Sequence, residues 1–187
     1  MTAEDAEPPD RAQKLSVLVS AASQHGATAE IAEAIGHALA GQGLTVTVIP
    51  PGDVRSLDGY DAVIIGSAVY MGHWLDPAKE LVNRFHDALT DRPVWLFSSG
   101  PVGKPSGKLA QSMDQDPVDL PGLLEATRAR DHRRFAGKLD LKVLSLPQRA
   151  SLLVFRGLNG DFRDWADIRQ WAQGIAAQLA PAGSPHK

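Results

Sequence analysis

Apolar residues recur along this chain in two rhythms. Short, nearly continuous apolar runs at residues 15–19, 45–49, 61–66, 93–98 and 132–138 are rich in Val, Ile and aromatic residues and predict strands. Between them apolar residues return every three or four positions, as an amphipathic helix requires. Residues 28–40 carry Ile31, Ile35 and Leu39 at that spacing and stop at Gly41 and Gly43. Asp76-Pro77 predicts a helix start, an acidic N-cap with proline in the first turn, followed by Ala78, Leu81, Val82, Phe85 and Leu89 on one face. Asp161 is the expected cap of a last helix that turns Phe162, Trp165, Ile168, Ala172, Ile175 and Leu179 inward. Short helices are expected over 54–57 and 123–130, and a long Gly-, Pro- and Ser-rich loop over 100–121.

Strands that alternate with helices form parallel βαβ units, and continuous apolar strands fit a sheet covered on both faces. Right-handed crossovers then predict an α/β three-layer sandwich around a five-stranded parallel sheet of order 2-1-3-4-5. Such sheets bind ligands beyond the carboxyl ends of their strands, where the first and third strands part. One domain is expected over 14–180, with flexible tails over 1–13 and 181–187.

Composition narrows the function. The 187 residues include 19 Lys+Arg against 22 Asp+Glu, a formal charge of -3, which argues against a nucleic-acid binder. There is no cysteine, so disulfides, thiolate metal sites and thiol nucleophiles are excluded. His37, His86, His132 and His186 are scattered without ligand spacing, and no metal site is expected. No apolar run approaches the ~20 residues of a membrane span, and no targeting segment is visible, so a cytoplasmic location is expected. Residues 144–158 combine Leu152, Leu153, Val154, Phe155 and Leu158 with Arg149 and Arg156. They read either as a helix over the sheet edge or as an amphipathic surface in peripheral contact with the inner face of a membrane.

Chemistry is expected in the loops after the first, third and fourth strands. The first, residues 20–28, leads into a helix amino end whose backbone N–H groups lack helical partners. An anion there gains hydrogen bonds and about 0.3–1 kcal/mol from the helix dipole. Gly26 permits close approach, and Ser23 and Thr28 add hydroxyls. An ordinary strand-to-helix turn capped by Thr28 fits the same residues. Gly41-Gln42-Gly43 ends a helix instead of opening one, and Gly103-Lys104-Pro105 has proline where a P-loop needs Ser or Thr. G-x-S-x-G is absent.

Ser23-Gln24-His25-Gly26-Ala27-Thr28 resembles the phosphate loop of flavodoxins, T/S-x-T-G-x-T, with His25 in place of the middle Thr. The second loop, which includes Ala68, Val69, Tyr70, Met71, Gly72, His73 and Trp74, resembles the flavodoxin segment beside the isoalloxazine ring. Ser98, Ser99 and Gly100 fall where the family's other ring-binding loop lies. Gly72-His73-Trp74 and the long loop after the fourth strand are similar to the flavodoxin-like menaquinone-dependent protoporphyrinogen dehydrogenases. The resemblance implies bound FMN, with Tyr70 and Trp74 as the aromatic neighbours of the ring. Trp74 packed on the Asp76 helix is the alternative. It also implies that a peptide at Met71 or Gly72 turns to accept a hydrogen bond from N5–H of the reduced flavin.

The flavin carries the electron chemistry in this reading, and the protein supplies orientation and access. His73 is the one titratable group placed to pass a proton at the ring edge, although an exposed loop histidine with no such role fits as well. Two functions follow from bound FMN, beside a third reading, a flavin-free binding module that keeps the fold. One is an FMN-dependent oxidoreductase that passes electrons from a reduced substrate such as protoporphyrinogen to a quinone-like small-molecule acceptor. The other is an electron carrier that docks on a redox partner protein. A carrier presents a strongly acidic face around the flavin, whereas Met71, His73 and Trp74 are not acidic, which favours the enzyme. A homo-oligomer is compatible with either.

Overall fold

The computed structural model of the protein describes residues 14–100, 116–139 and 160–180. Five parallel strands form its centre: β1 (Ser16–Ala22), β2 (Thr45–Val48), β3 (Ala62–Tyr70), β5 (Val94–Gly100) and β6 (Asp131–Ala136). They lie in the order β2-β1-β3-β5-β6, the 2-1-3-4-5 order of a doubly wound sheet. A two-residue strand, β4 (His73–Trp74), folds back antiparallel on β3 and pairs Tyr70 with His73 and Val69 with Trp74. A small separate ribbon joins β7 (Lys138–Leu139) to β8 (Gly160–Asp161) and pairs Lys138 with Asp161. No sequence signal for it is apparent.

The side-chain period of two along each strand divides the core into two layers. Val17, Val19, Ile64, Trp95 and Phe97 pack against α1 (Ala27–Gly41) and the final helix α5 (Trp165–Leu179). Leu18, Val63, Ile65 and Leu96 pack on the other side against α2 (Asp76–Arg84), α3 (His86–Thr90) and α4 (Leu120–Thr127). Both faces are therefore covered, which is why these strands read as unbroken apolar runs. Each such buried side chain contributes about 1.5–3 kcal/mol of transfer free energy.

Several local expectations change. The helix expected over 54–57 is replaced by a 3-10 turn at Pro51–Asp53 and extended chain. The guanidinium of Arg84 donates to the carbonyls of Pro51 and Val54, which a helix would have used itself. Asp76 is the first residue of α2, not its cap, and its carboxylate pairs with Lys79 at 2.9 Å. The helix does not run through to Leu89: it breaks at Phe85, φ -114° and ψ 22°, and restarts as α3. The helix expected over 123–130 lies three residues earlier. The last helix is capped by Asp164, whose carboxylate accepts from the N–H groups of Ala166 and Asp167 at 3.0 Å. Asp161 instead lies in β8 and binds Arg163. The segment 144–158, both tails and most of the loop over 100–121 lie outside the described residues.

Candidate functional site

The carboxyl ends of β1, β3 and β5 converge, as the strand order demands. After β1 the chain turns at Gly26, φ 86°, which is the N-cap of α1 and gives it no side-chain cap. Its carbonyl accepts from Glu30 N–H at 3.0 Å. A Cβ at Gly26 would meet nothing within 4 Å, so the left-handed backbone, not crowding, calls for glycine. Thr28 is buried and is not the cap. Ser23 Oγ is buried beside this turn without a hydrogen-bond partner, and so is Ser20 Oγ near the end of β1. Buried hydroxyls are rarely left unpaired. The Ser23 hydroxyl, close in sequence to a helix start without a side-chain cap, fits a bound oxyanion.

The second loop is mostly strand. β3 continues four residues past the expected end at Gly66, through Ala68, Val69 and Tyr70, and reverses at Met71-Gly72. Both turn residues have positive φ, 49° and 82°, the geometry of a type I′ hairpin turn, whose twist suits the flanking strands. The Met71 side chain is 95% exposed. The turn is tied down from one side. Gly72 carbonyl accepts from Val118 N–H at 2.8 Å. Asp119 accepts from Trp74 N–H at 2.8 Å and lies 3.2 Å from His73 Nδ1. Burial raises the Asp119 pKa, but the hydrogen bonds from His73 and Trp74 and the charge of Lys79 outweigh it and hold the carboxyl below its usual range. The first two loops meet where His25 Nε2 lies 3.3 Å from Tyr70 Oη. Gln24 and His25 are exposed, and Ala27 is half-buried.

Two of the expected ring neighbours turn inward. Trp74 is 2% exposed and packs in the α2 layer, and its indole N–H donates to Ser98 Oγ at 2.8 Å. It thus takes the packing alternative and offers no ring face to a ligand. Ser98 is fully buried, with its hydroxyl also 2.8 Å from His132 Nε2. The Ser98 hydroxyl thus joins the Trp74 indole, which donates to it, to the His132 ring. Burial pushes the His132 pKa down, against the pull of Asp116 and Asp131 and with the help of Arg134. The Ser98 hydroxyl is thus engaged within the core. Ser99 is nearly buried, and Gly100 ends β5. Gly137 has no room for a Cβ, which would fall 2.0 Å from the Gly100 carbonyl oxygen.

Sequence reasoning missed Val118, Asp119, His132 and Arg163. Asp119 lies 45 residues beyond Trp74, and neither its spacing nor its type marks it in the sequence. Arg163, beyond β8, reaches back to Ala27 and Glu30 at the start of α1.

A doubly wound sheet whose first strand turns into a helix start without a side-chain cap has the architecture of the α/β proteins that bind mononucleotides. The chain matches the flavodoxin domain model over residues 18–163 and belongs to that family, whose members bind FMN. Among solved structures it is similar to an archaeal flavodoxin, 18% identical, with 89% of this chain and 100% of that one covered and a TM-score of 0.61. Flavodoxin 2 from Bacillus cereus is 19% identical, over 87% and 99% of the two chains, with a TM-score of 0.59. Rubredoxin oxygen:oxidoreductase from Desulfovibrio gigas is 16% identical over 90% of this chain but 38% of that longer one, with a TM-score of 0.58. These likenesses establish the fold. No curated protein matches the sequence. Among the described residues no helix is long and apolar enough to cross a membrane.

Proposed function

We propose that the protein binds FMN at the β1–α1 turn and is an FMN-dependent oxidoreductase that passes electrons from a reduced substrate to a quinone-like acceptor. The observation that carries the reading is the unpartnered Ser23 hydroxyl beside the uncapped start of α1 at Gly26. Amide N–H groups of residues 24–28, with the Ser23 hydroxyl, would hold the phosphate. Tyr70 would flank the ring, and the backbone of Ser99 and Gly100 would close the other side. Between Met71 and Gly72, the carbonyl of Gly72 is already engaged by Val118, which favours the Met71 carbonyl as the one that answers the ring edge. FMN, when bound, supplies electron transfer between donor and acceptor. His73 is half-exposed, with Nδ1 held 3.2 Å from Asp119, and would stand at the rim.

What favours an enzyme over a carrier is the rim itself. Met71 and Val118, 95% and 71% exposed, are the large apolar side chains that stand free among the described residues, and they lie together at this turn. An apolar rim suits a hydrophobic small molecule better than a partner recognised by charge. The reading names a protoporphyrinogen-like donor and a menaquinone-like acceptor.

Purified protein should titrate with FMN, with quenching of flavin fluorescence. Gly26→Asp should abolish this binding and leave far-UV circular dichroism unchanged, because it sets a carboxylate among the same amides. Equal binding by the variant would put the phosphate elsewhere. The loaded protein should oxidise protoporphyrinogen IX with menadione faster than free FMN does. FMN binding without that turnover would leave a flavodoxin-type carrier that serves a redox partner protein.

A further inference from the structure

The phosphate-binding turn contains no Lys or Arg, and Glu30 places a carboxylate in the first turn of the helix that would receive a dianion. Taken alone this is poor electrostatic design, since a like charge near the helix start opposes the anion. Arg163 changes it. Its side chain is 3% exposed, and its Nη1 donates to Glu30 Oε2 at 2.6 Å and to the Ala27 carbonyl at 3.3 Å. The rest of the guanidinium grips Asp161 through Nε at 2.8 Å and Nη2 at 2.6 Å. The plane is fixed 4.4 Å from the Trp165 ring centroid. Lys138, paired with Asp161 across the β7–β8 ribbon, adds a second cation whose charge favours that carboxylate.

We propose that Arg163 is the positioning residue that gives this site its selectivity for a phosphorylated flavin. It neutralises Glu30 and braces the Ala27 peptide at the helix start. The inference rests on the FMN reading and goes beyond it, because it concerns how an acid-bearing turn tolerates a dianion. The guanidinium does not contact the ligand. It acts through Glu30 and through the peptide that follows Ala27, whose amide hydrogen belongs to Thr28. A cation donating to a peptide oxygen polarises that peptide and strengthens its N–H as a donor. Arginine suits the task, since it stays charged when buried and offers several donors in one plane.

The test compares FMN with riboflavin, which carries the same ring and no phosphate. Dissociation constants are read by fluorescence quenching, and folding by circular dichroism. Wild type should prefer FMN. In Arg163→Gln the freed Glu30 carboxylate should cut that preference by about tenfold while riboflavin binding holds. Glu30→Gln combined with Arg163→Gln should recover most of the preference. Glu30→Gln alone, at a half-exposed position where misfolding is not a concern, should raise the preference a few-fold because Arg163 is then less compensated. An unchanged FMN-to-riboflavin ratio in Arg163→Gln, or an equal loss of both ligands, would overturn the proposal. So would a ratio that is unchanged or lower in Glu30→Gln. Wild type that binds neither flavin would instead overturn the cofactor reading itself.

Discussion

His132 shows how the burial of one side chain sets a pH response. In the folded chain burial disfavours the charged imidazole, so its pKa falls below the ordinary value near 6.5. The unfolded chain takes up a proton near 6.5 while the folded one does not. Stability is therefore full above that pH and declines as the pH falls from 6.5 towards the lowered folded value. Asp119 works in a separate window. Its folded pKa lies below 3.8, so its contribution is intact above 3.8 and is lost as the pH falls further. Urea midpoints between pH 7 and 5 should decline in the wild type, and His132→Gln should flatten that slope. An equal slope in both would assign the decline to another group. Neither role was legible in the sequence. His132 reads as a scattered histidine until Trp74 and Ser98, from two other strands, are brought to it.

The elements themselves were readable because their signals are local. Ile31, Ile35 and Leu39 locate α1 by spacing alone, and the β-branched run at 45–49 locates β2. Boundaries were lost where one residue has two uses. Asp161 reads as the cap of the last helix, and only the folded chain shows that it is taken by Arg163 and that Asp164 caps instead. The end of β3 was misplaced because Ser67 and Ala68 read as a loop, whereas pairing with Ser98 and Ser99 keeps them extended. That pairing also depends on close packing at Gly66. A Cβ there would lie 2.1 Å from Phe97 Cζ, and Phe97 is fully buried among Phe135 and Trp171 with no room to retreat. Gly66→Ala should destabilise the protein by about 1–3 kcal/mol, seen as a lower urea midpoint with an unchanged slope. A variant as stable as wild type would show that the ring can shift.

For the whole molecule, the sheet order followed from alternation and crossover handedness, rules that hold for any chain of this pattern. The site was legible only in outline. The positions of its three loops are fixed by the fold, but their bracing comes from Val118, Asp119 and Arg163, partners tens of residues away that no spacing rule connects. Because FMN would bind the folded chain alone, a hundredfold excess over its dissociation constant should add about 2.7 kcal/mol. For a chain of this size that is a rise in Tm of roughly 5–11 °C, measurable by thermal scanning, and riboflavin should give less. No shift with FMN would contradict the cofactor reading. The crowding of Gly137 against Gly100 has one further consequence. A side chain at Gly137 would prise two segments of chain apart, whereas the Met71 side chain projects freely from its hairpin. Among the described residues, position 71 is therefore a place where side-chain size can change without disturbing the sheet, provided the new residue accepts the left-handed backbone of the turn.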